Sequence, residues 1–479
     1  MEKKELKDAA SELLAFLEKK DDVKHAEAYC SANRLSVYRI VYHSQIPSNA
    51  LEEPKSEENF GLSARIHFTD GAYGFGAADS YFGKDAFKEA YEKAKRSKVH
   101  DKDFKSFPKP QGKPVAGNYV DQTIAKLDEQ KAIKKSYGLL DGALSVLSAA
   151  QIQKGINLTG ELDVGYSSFA VKSTQGIDAS EENTFAAATL TSTLEDKNSS
   201  GVGGNSATHL LALDCESAGK EAAQKALRSA KTIKVDGGDF KVILSPNAVG
   251  ELFYSGLDLA LPSIDFNASP FIARMGKKVG SELLTVHDNA NLEGFSGSKI
   301  FTDEGLPAGR TTLIENGVLK NYITNHYYRE KKEEWNGFVA RNGFRGSGER
   351  KYYSEVGVHG TNIEVTPGDY SETELLKETK NGLYIGRLWY TYPINGYSSP
   401  DFTSTVRGDS FVIKNGEIAG ALAPNTLRVL GNFDEFLENI KAIGRERRAV
   451  QSWGQDEIVI TPEMCLSGMK FQRISNGIY

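Results

Sequence analysis

Polar and apolar positions alternate with two clear periods along this chain, and the period changes from segment to segment. Near the start, Leu6, Ala10, Leu13, Leu14 and Leu17 recur at spacings of three and four between lysines and acids. That spacing predicts an amphipathic helix. The following AEAYCSANRLSVYRIVYHSQ carries β-branched and aromatic residues in strand-like alternation and is broken by PSNALEEPKSEENFG. In GLSARIHFTDGAYGFGAA, Ala64, Ile66 and Phe68 alternate ahead of Asp70-Gly71, which predicts a hairpin with a type I′ turn. Phe87, Ala90, Tyr91 and Ala94 then return to helical spacing. Pro108, Pro110 and Pro114 mark a linker, which places a first boundary near residue 115.

A second section, 116–237, opens on a helix in LDEQKAIKKSYGLLDGALSVLSAA. Three strand-like runs follow, INLTGELDVG, YSSFAVKSTQ and FAAATLTSTL, as in an antiparallel meander. The glycine-rich SSGVGGNSA superficially resembles a phosphate cradle, but no Walker lysine follows it, so a mobile loop is the better expectation. ESAGKEAAQKALRSA reads as a helix. The third section, 238–479, begins with the buried-strand run FKVILSP. It contains two N-G hairpin signals, at Asn316-Gly317 and Asn415-Gly416. Ser371 and Glu374 form a capping-box helix start, and Phe433, Phe436, Leu437 and Ile440 predict a helix from Asn432 to Ile443. The fold class expected is α+β, with N-terminal and central α/β sections and a β-rich C-terminal domain carrying helices.

Composition narrows the classes of function. With 479 residues, 39% hydrophobic, the chain exceeds the size at which a single core stops growing, so two or three domains are expected. Acids interrupt the first leucines, no later run approaches the ~18 apolar residues of a membrane span, and the mean hydropathy is -0.42. A cytoplasmic protein without membrane partners is the expectation. The formal net charge of -6, with both signs mixed, gives no sign of a nucleic-acid surface. Cys30, Cys215 and Cys465 are far apart and form no C-x-x-C, so neither a disulfide framework nor a thiolate metal cage is implied, and Cys215 and Cys465 read as core thiols.

Chemistry is conspicuous by its gaps. The closest two of eight histidines, His25 and His43, lie 18 positions apart, so no helical His-His pair exists. There is no G-x-S-x-G elbow, and neither a Rossmann nor a kinase signature. Asp303-Glu304 and Asp434-Glu435 are adjacent pairs whose side chains diverge, which suggests solvated surface. No catalytic residue, metal ligand or cofactor is assigned. One stretch stands out: residues 384–402 hold Tyr384, Trp389, Tyr390, Tyr392, Tyr397 and Phe402 among glycines and prolines. They serve either as a groove for an extended peptide or as a loop packed on its own domain.

FKVILSPNAVGELFYSGLDLA and IFTDEGLPAGRTTLIENGVLKNYI resemble the TldD/PmbA family, also called modulators of DNA gyrase. The likeness extends to TNIEVTPGDYSETELL, NGLYIGRLWYTYPI, SFVIKNGEIAGAL, LGNFDEFLENIKAIG and the N-terminal GLSARIHFTDGAYGFGAADS. The resemblance implies two branches that associate: a TldD branch of zinc peptidases with an H-E-x-x-x-H helix and a C-terminal cysteine ligand, and a PmbA (TldE) branch lacking those ligands. On that resemblance a degenerate metal-site helix lies near 247–260, with Tyr254, Ser255 and Leu259 in place of the two histidines and the glutamate. The cysteine's place falls around Ser452-Trp453-Gly454, with Cys465 beyond it. The implied role is a non-catalytic, PmbA/TldE-like subunit of a peptidase acting on unfolded or short peptides, as a homodimer or as a heterodimer with a TldD-type chain. Two alternatives remain: an independent hydrolase built from scattered residues, and a peptide-binding modulator that acts without proteolysis.

Overall fold

The computed structural model describes residues 3–46, 50–79, 83–346, 348–450 and 458–474. Helix α1 (Lys3–Leu17) buries Leu6, Ala9, Ala10, Leu13 and Leu17, the face that the sequence spacing marks. It packs on a six-stranded antiparallel sheet. The strands are β1 (Val23–His43), β2 (Lys55–Phe68), β3 (Tyr73–Ala78), β4 (Ile156–Ser173), β5 (Asp178–Leu194) and β6 (Ser199–Ala207), in the order β3-β2-β1-β4-β5-β6. Helices α2 (Lys84–Arg96), α3 (Gln122–Ala125), α4 (Glu129–Leu144), α5 (Ala149–Gln153) and α6 (Cys215–Arg228) complete this half. β1 pairs with β4 over the whole span from Glu27↔Ser173 to His43↔Asn157. The linker near residue 115 therefore joins two parts of one sheet, because strands as long as β1 and β4 reach both of the helical layers that cover it.

Several local expectations are corrected here. The Asp70-Gly71 turn is a three-residue connection rather than a two-residue type I′: Phe68 N–H donates to Ala72 O at 2.8 Å, and only Gly71 has positive φ, at 84°. INLTGELDVG and YSSFAVKSTQ are one continuous strand, β4. Gly165 at their junction makes no turn but clears space for the Phe185 ring on β5, which an added Cβ would meet at 1.9 Å. SSGVGGNSA is neither loop nor cradle but strand β6. Its glycines admit α6, since a Cβ on Gly201 would stand 2.4 Å from Ala222 O and one on Gly203 2.0 Å from Ala218 O.

The C-terminal half contains two larger sheets. A six-stranded sheet runs Val318–Leu319, Arg310–Glu315, Val286–Asn289, Asn362–Val365, Ile458–Thr461, Arg448–Val450. A ten-stranded sheet runs from the edge strand Leu388–Pro393 through Asp401–Val406, Leu427–Asn432, Met464–Arg473, Gly238–Leu244, Gly382–Ile385, Phe411–Lys414 and Glu417–Leu422 to Thr232–Ile233, with Ile440–Ile443 paired to Met464–Arg473. Both N-G hairpins form, with φ of 48° and 76° at Asn316-Gly317 and 53° and 79° at Asn415-Gly416. Ser371 and Glu374 close the capping box of helix Glu372–Thr379. The helix expected over 432–443 ends at Glu438, and Ile440–Ile443 is a strand, because Ile440 and Ala442 pair with the sheet. Residues 384–402 are not one loop: the strand Leu388–Pro393 and the connection 394–400 lead into Asp401–Val406, which pairs with it as a hairpin.

Candidate functional site

Helix α7 (Pro246–Gly256) follows the central strand Gly238–Leu244, and its first turn is fixed by Ser245, whose Oγ accepts from Ala248 N and donates to Gly386 O at 2.6 Å. Pro246 stands in the first turn, where its missing N–H leaves no gap. The start of α7 opens onto a cleft of about 660 Å³ between the two halves. Three sheet edges meet there: Val202 to Ser206 of β6, Arg448 to Val450 of the six-stranded sheet, and Leu388 and Trp389 of the ten-stranded sheet. Edge strands present unpaired main-chain donors and acceptors. Pro246, Asn247 and Glu251 of α7 line the same space.

The charges around the cleft are mostly held by partners. Glu221 on α6 takes Lys225 at 2.9 Å and Arg448 at 2.5 Å, the latter bridging the two halves. Burial opposes the charge of Glu221, but Lys225 and Arg448 win and hold its carboxyl below the usual range. Tyr384 donates its hydroxyl to Glu463 at 2.7 Å. Burial, with Glu372 nearby, pushes Glu463 up, against the pull of Tyr384 and Arg448. Burial likewise drives Tyr384 well above the ordinary phenol range. Arg387 sits 3.1 Å from the buried Asp409, whose carboxyl burial also pushes up. This lining carries lysine, arginine and glutamate but offers no imidazole, and among the described residues no three His, Cys, Asp or Glu side chains converge as a metal cage.

The sequence-marked positions fall elsewhere. Tyr254 is half-exposed on the last turn of α7, Ser255 donates to Thr391 O at 3.2 Å, and Leu259 lies beyond the helix end in the apolar core. These three do not share a face toward the cleft. Trp389 lines the cleft. Tyr390 and Tyr392 are exposed on the edge strand, Tyr390 at a bulge with φ 55°. Tyr397 instead rims a smaller pocket with Ser255, Thr391 and Phe433. Of the four aromatic positions only Trp389 therefore reaches the cleft.

Ser452-Trp453-Gly454 lies outside the described residues. Cys465 is buried beside Thr379, its thiol pushed up by burial, in a core cluster that does not itself line the cleft. Asp303 and Glu304 are not solvated surface: both are buried against arginines. Sequence reasoning missed the β6 wall, whose only signal was Ser200, Val202 and Ser206 alternating with glycines. It also missed Glu463, for which the sequence carried no signal.

The architecture joins a helix-and-sheet half, whose β6 glycines admit α6, to a β-rich half, with the start of α7 opening onto the cleft between them. The PmbA/TldA metallopeptidase C-terminal domain matches residues 237–473. A metalloprotease of Methanocaldococcus jannaschii is 34% identical over 232 residues, covering 47% of this chain and 48% of that protein. A TldD homologue from Buchnera aphidicola is 27% identical over 49% of this chain and 47% of its own length. The chain thus matches about half the length of these curated relatives. Across nearly its whole length it shares the fold of TldE from Thermococcus kodakarensis, at a TM-score of 0.81 and 19% identity over 97% of this chain and 100% of that one. A gyrase-modulator-type protein of Thermotoga maritima has the same fold, at a TM-score of 0.80 and 19% identity over 97% and 99%. Residues 237–473 thus belong to the TldD/PmbA family by sequence, and the chain as a whole shares the fold of these proteins.

Proposed function

We propose that this chain is the zinc-less, PmbA/TldE-like member of a cytoplasmic peptidase assembly. It holds unfolded or short peptides in the cleft while a histidine-bearing relative performs hydrolysis. The observation that carries the reading is the cleft itself. Three sheet edges and the first half of α7 line it, and an extended peptide is the ligand whose own main chain can satisfy such edges.

On α7 the H-E-x-x-x-H spacing fits Pro246, Asn247 and Glu251 better than Tyr254, Ser255 and Leu259, because the first three line the cleft from one helix. We assign the degenerate metal positions there. Proline has no side-chain donor and an asparagine amide is a weak zinc ligand, so the set does not fit zinc. Glu251 alone could not hold the ion. No hydrolytic step is therefore assigned to this chain's own residues.

Metal analysis and peptidase assays, run with and without a histidine-bearing relative, test the reading. The expected result is no stoichiometric zinc and no cleavage by the chain alone, with cleavage on mixing and a dimer in light scattering. One tightly held zinc per chain, lost to chelator together with activity, would instead establish an independent hydrolase. Peptide binding with no assembly and no cleavage would favour the modulator.

A further inference from the structure

Clefts between two halves of a chain commonly work by hinge closure around the ligand. In this chain the hinge line is crossed by charge. The segment between Phe344 and Gly357 belongs to the C-terminal half, yet it sends Arg345 and Arg350, both fully buried, into the N-terminal sheet. Arg345 donates to Glu27 Oε1 at 3.0 Å and to Ser63 Oγ at 3.2 Å, and its guanidinium lies 4.1 Å from the Tyr29 ring centroid. Arg350 donates to Glu181 at 2.7 Å and to Asp303 at 2.7 Å, and lies 4.1 Å over Phe169.

The acids are shared in the same crossing pattern. Glu27 on β1 also takes Arg65 on β2, at 2.8 Å from Nε. Glu181 on β5 accepts Ile300 N at 2.8 Å and Phe301 N at 3.0 Å from the other half. Asp303 takes the Tyr29 hydroxyl at 3.1 Å and Arg345 N at 2.7 Å. Outside this core, Asn59 reaches Glu349 at 3.3 Å and Tyr73 donates to Glu355. Glu27, Asp303 and Glu181, which also accepts from Asn183 Nδ2 of its own half at 2.8 Å, are each satisfied partly by their own half and partly by the other. Parting the halves would break all of these cross-half ion pairs and hydrogen bonds together, and any of the charges that water did not reach would be left buried without a countercharge. A second tie, Arg448 to Glu221, crosses at the cleft itself.

We propose that this strap is a lock that holds the cleft at a fixed aperture, so that its ligand enters without closure of one half upon the other. The proposal rests on the peptide-cleft reading only for the choice of ligand. Lys220→Cys on α6 and Lys441→Cys on the C-terminal half, both exposed, place one spin label on each half, and Cys30, Cys215 and Cys465 are buried and escape labelling. The probe peptide is oxidised insulin B chain, with its binding followed separately by fluorescence anisotropy.

In the otherwise native protein the distance distribution is expected to be narrow and unchanged by saturating peptide. In Arg345→Met/Arg350→Met it is expected to broaden. Should that variant fail to fold, Arg350→Lys keeps the charge but loses the two-pronged contact and is expected to broaden it less. Amide exchange of Ile300, Phe301 and Arg345 in the native protein is expected to be as slow as that of core strands. A native distribution that shifts with peptide, rapid exchange at those amides, or a folded Arg350 variant that stays narrow would overturn the lock. Absence of peptide binding by anisotropy would refute the peptide reading instead, leaving the variant and exchange results to decide the lock.

Discussion

Replacing Gly203 by alanine probes the wall between β6 and α6. The added Cβ would stand 2.0 Å from Ala218 O, 2.8 Å from Ala222 N and 3.0 Å from Ala218 C, all backbone atoms that no rotamer change can move. Restoring ordinary contact requires α6 to retreat by about 1.4 Å in an interior packed near crystal density. Its far side gives no room. Gly219 there would already meet Leu139 O at 2.0 Å if it carried a Cβ, and Gly142 of α4 would meet Glu216 O at 2.1 Å. The cost should therefore reach the upper end of overpacking, about 3 kcal/mol or more.

The neighbouring Gly204→Ala is the control. Its Cβ meets Ala188 O at 3.4 Å and Thr189 Cγ2 at 3.5 Å, ordinary contacts at an exposed position. There the change should stay within about 0.5 kcal/mol. Chemical denaturation of both variants, compared through midpoint and slope, measures the difference. Equal stabilities for the two would refute the claim that the glycines of β6 exist to admit α6.

Arg350→Met should cost about 3–5 kcal/mol because Glu181 and Asp303 are left buried without that countercharge; adding Glu181→Gln and Asp303→Asn should recover much of the loss in the same denaturation assay. Asp163 is pushed up to about 7 by burial and by Glu161, against Arg39. Its unfolded counterpart ionises near ~4, so stability should fall as pH rises from about 4 to 7. Asp163→Asn should accordingly gain about 2–4 kcal/mol at pH ~8 and nothing at pH ~3.5, and equal gains at both pH values would defeat that reasoning. Asn415→Ala places a Cβ-bearing residue without a local side-chain hydrogen bond at φ 53° and should cost about 1 kcal/mol, read as a lowered melting temperature.

Local chemistry was legible without coordinates. The amphipathic face of α1, the two N-G turns, the Ser371 to Glu374 capping box and the absence of paired histidines each depend on residues within a few positions of one another. The sequence resemblance to the TldD/PmbA family holds as well. What the order of residues could not determine was anything set by partners distant along the chain. SSGVGGNSA looks like a loop until α6 is laid against it, because small residues signal flexibility only where nothing packs on them. Asp303 and Glu304 look like surface until Arg350 and Arg65, 47 and 239 positions away, neutralise them in the interior. The helix predicted to run to Ile443 stops at Glu438 because the last residues gain more from pairing with Met464–Arg473 than from another helical turn. Likewise, which side chains of α7 face the cleft was decided by the tertiary structure. The packing of α7 against Leu388–Pro393, Arg448–Val450 and Ile458–Thr461 sets Pro246, Asn247 and Glu251 along the cleft and leaves Leu259 in the core.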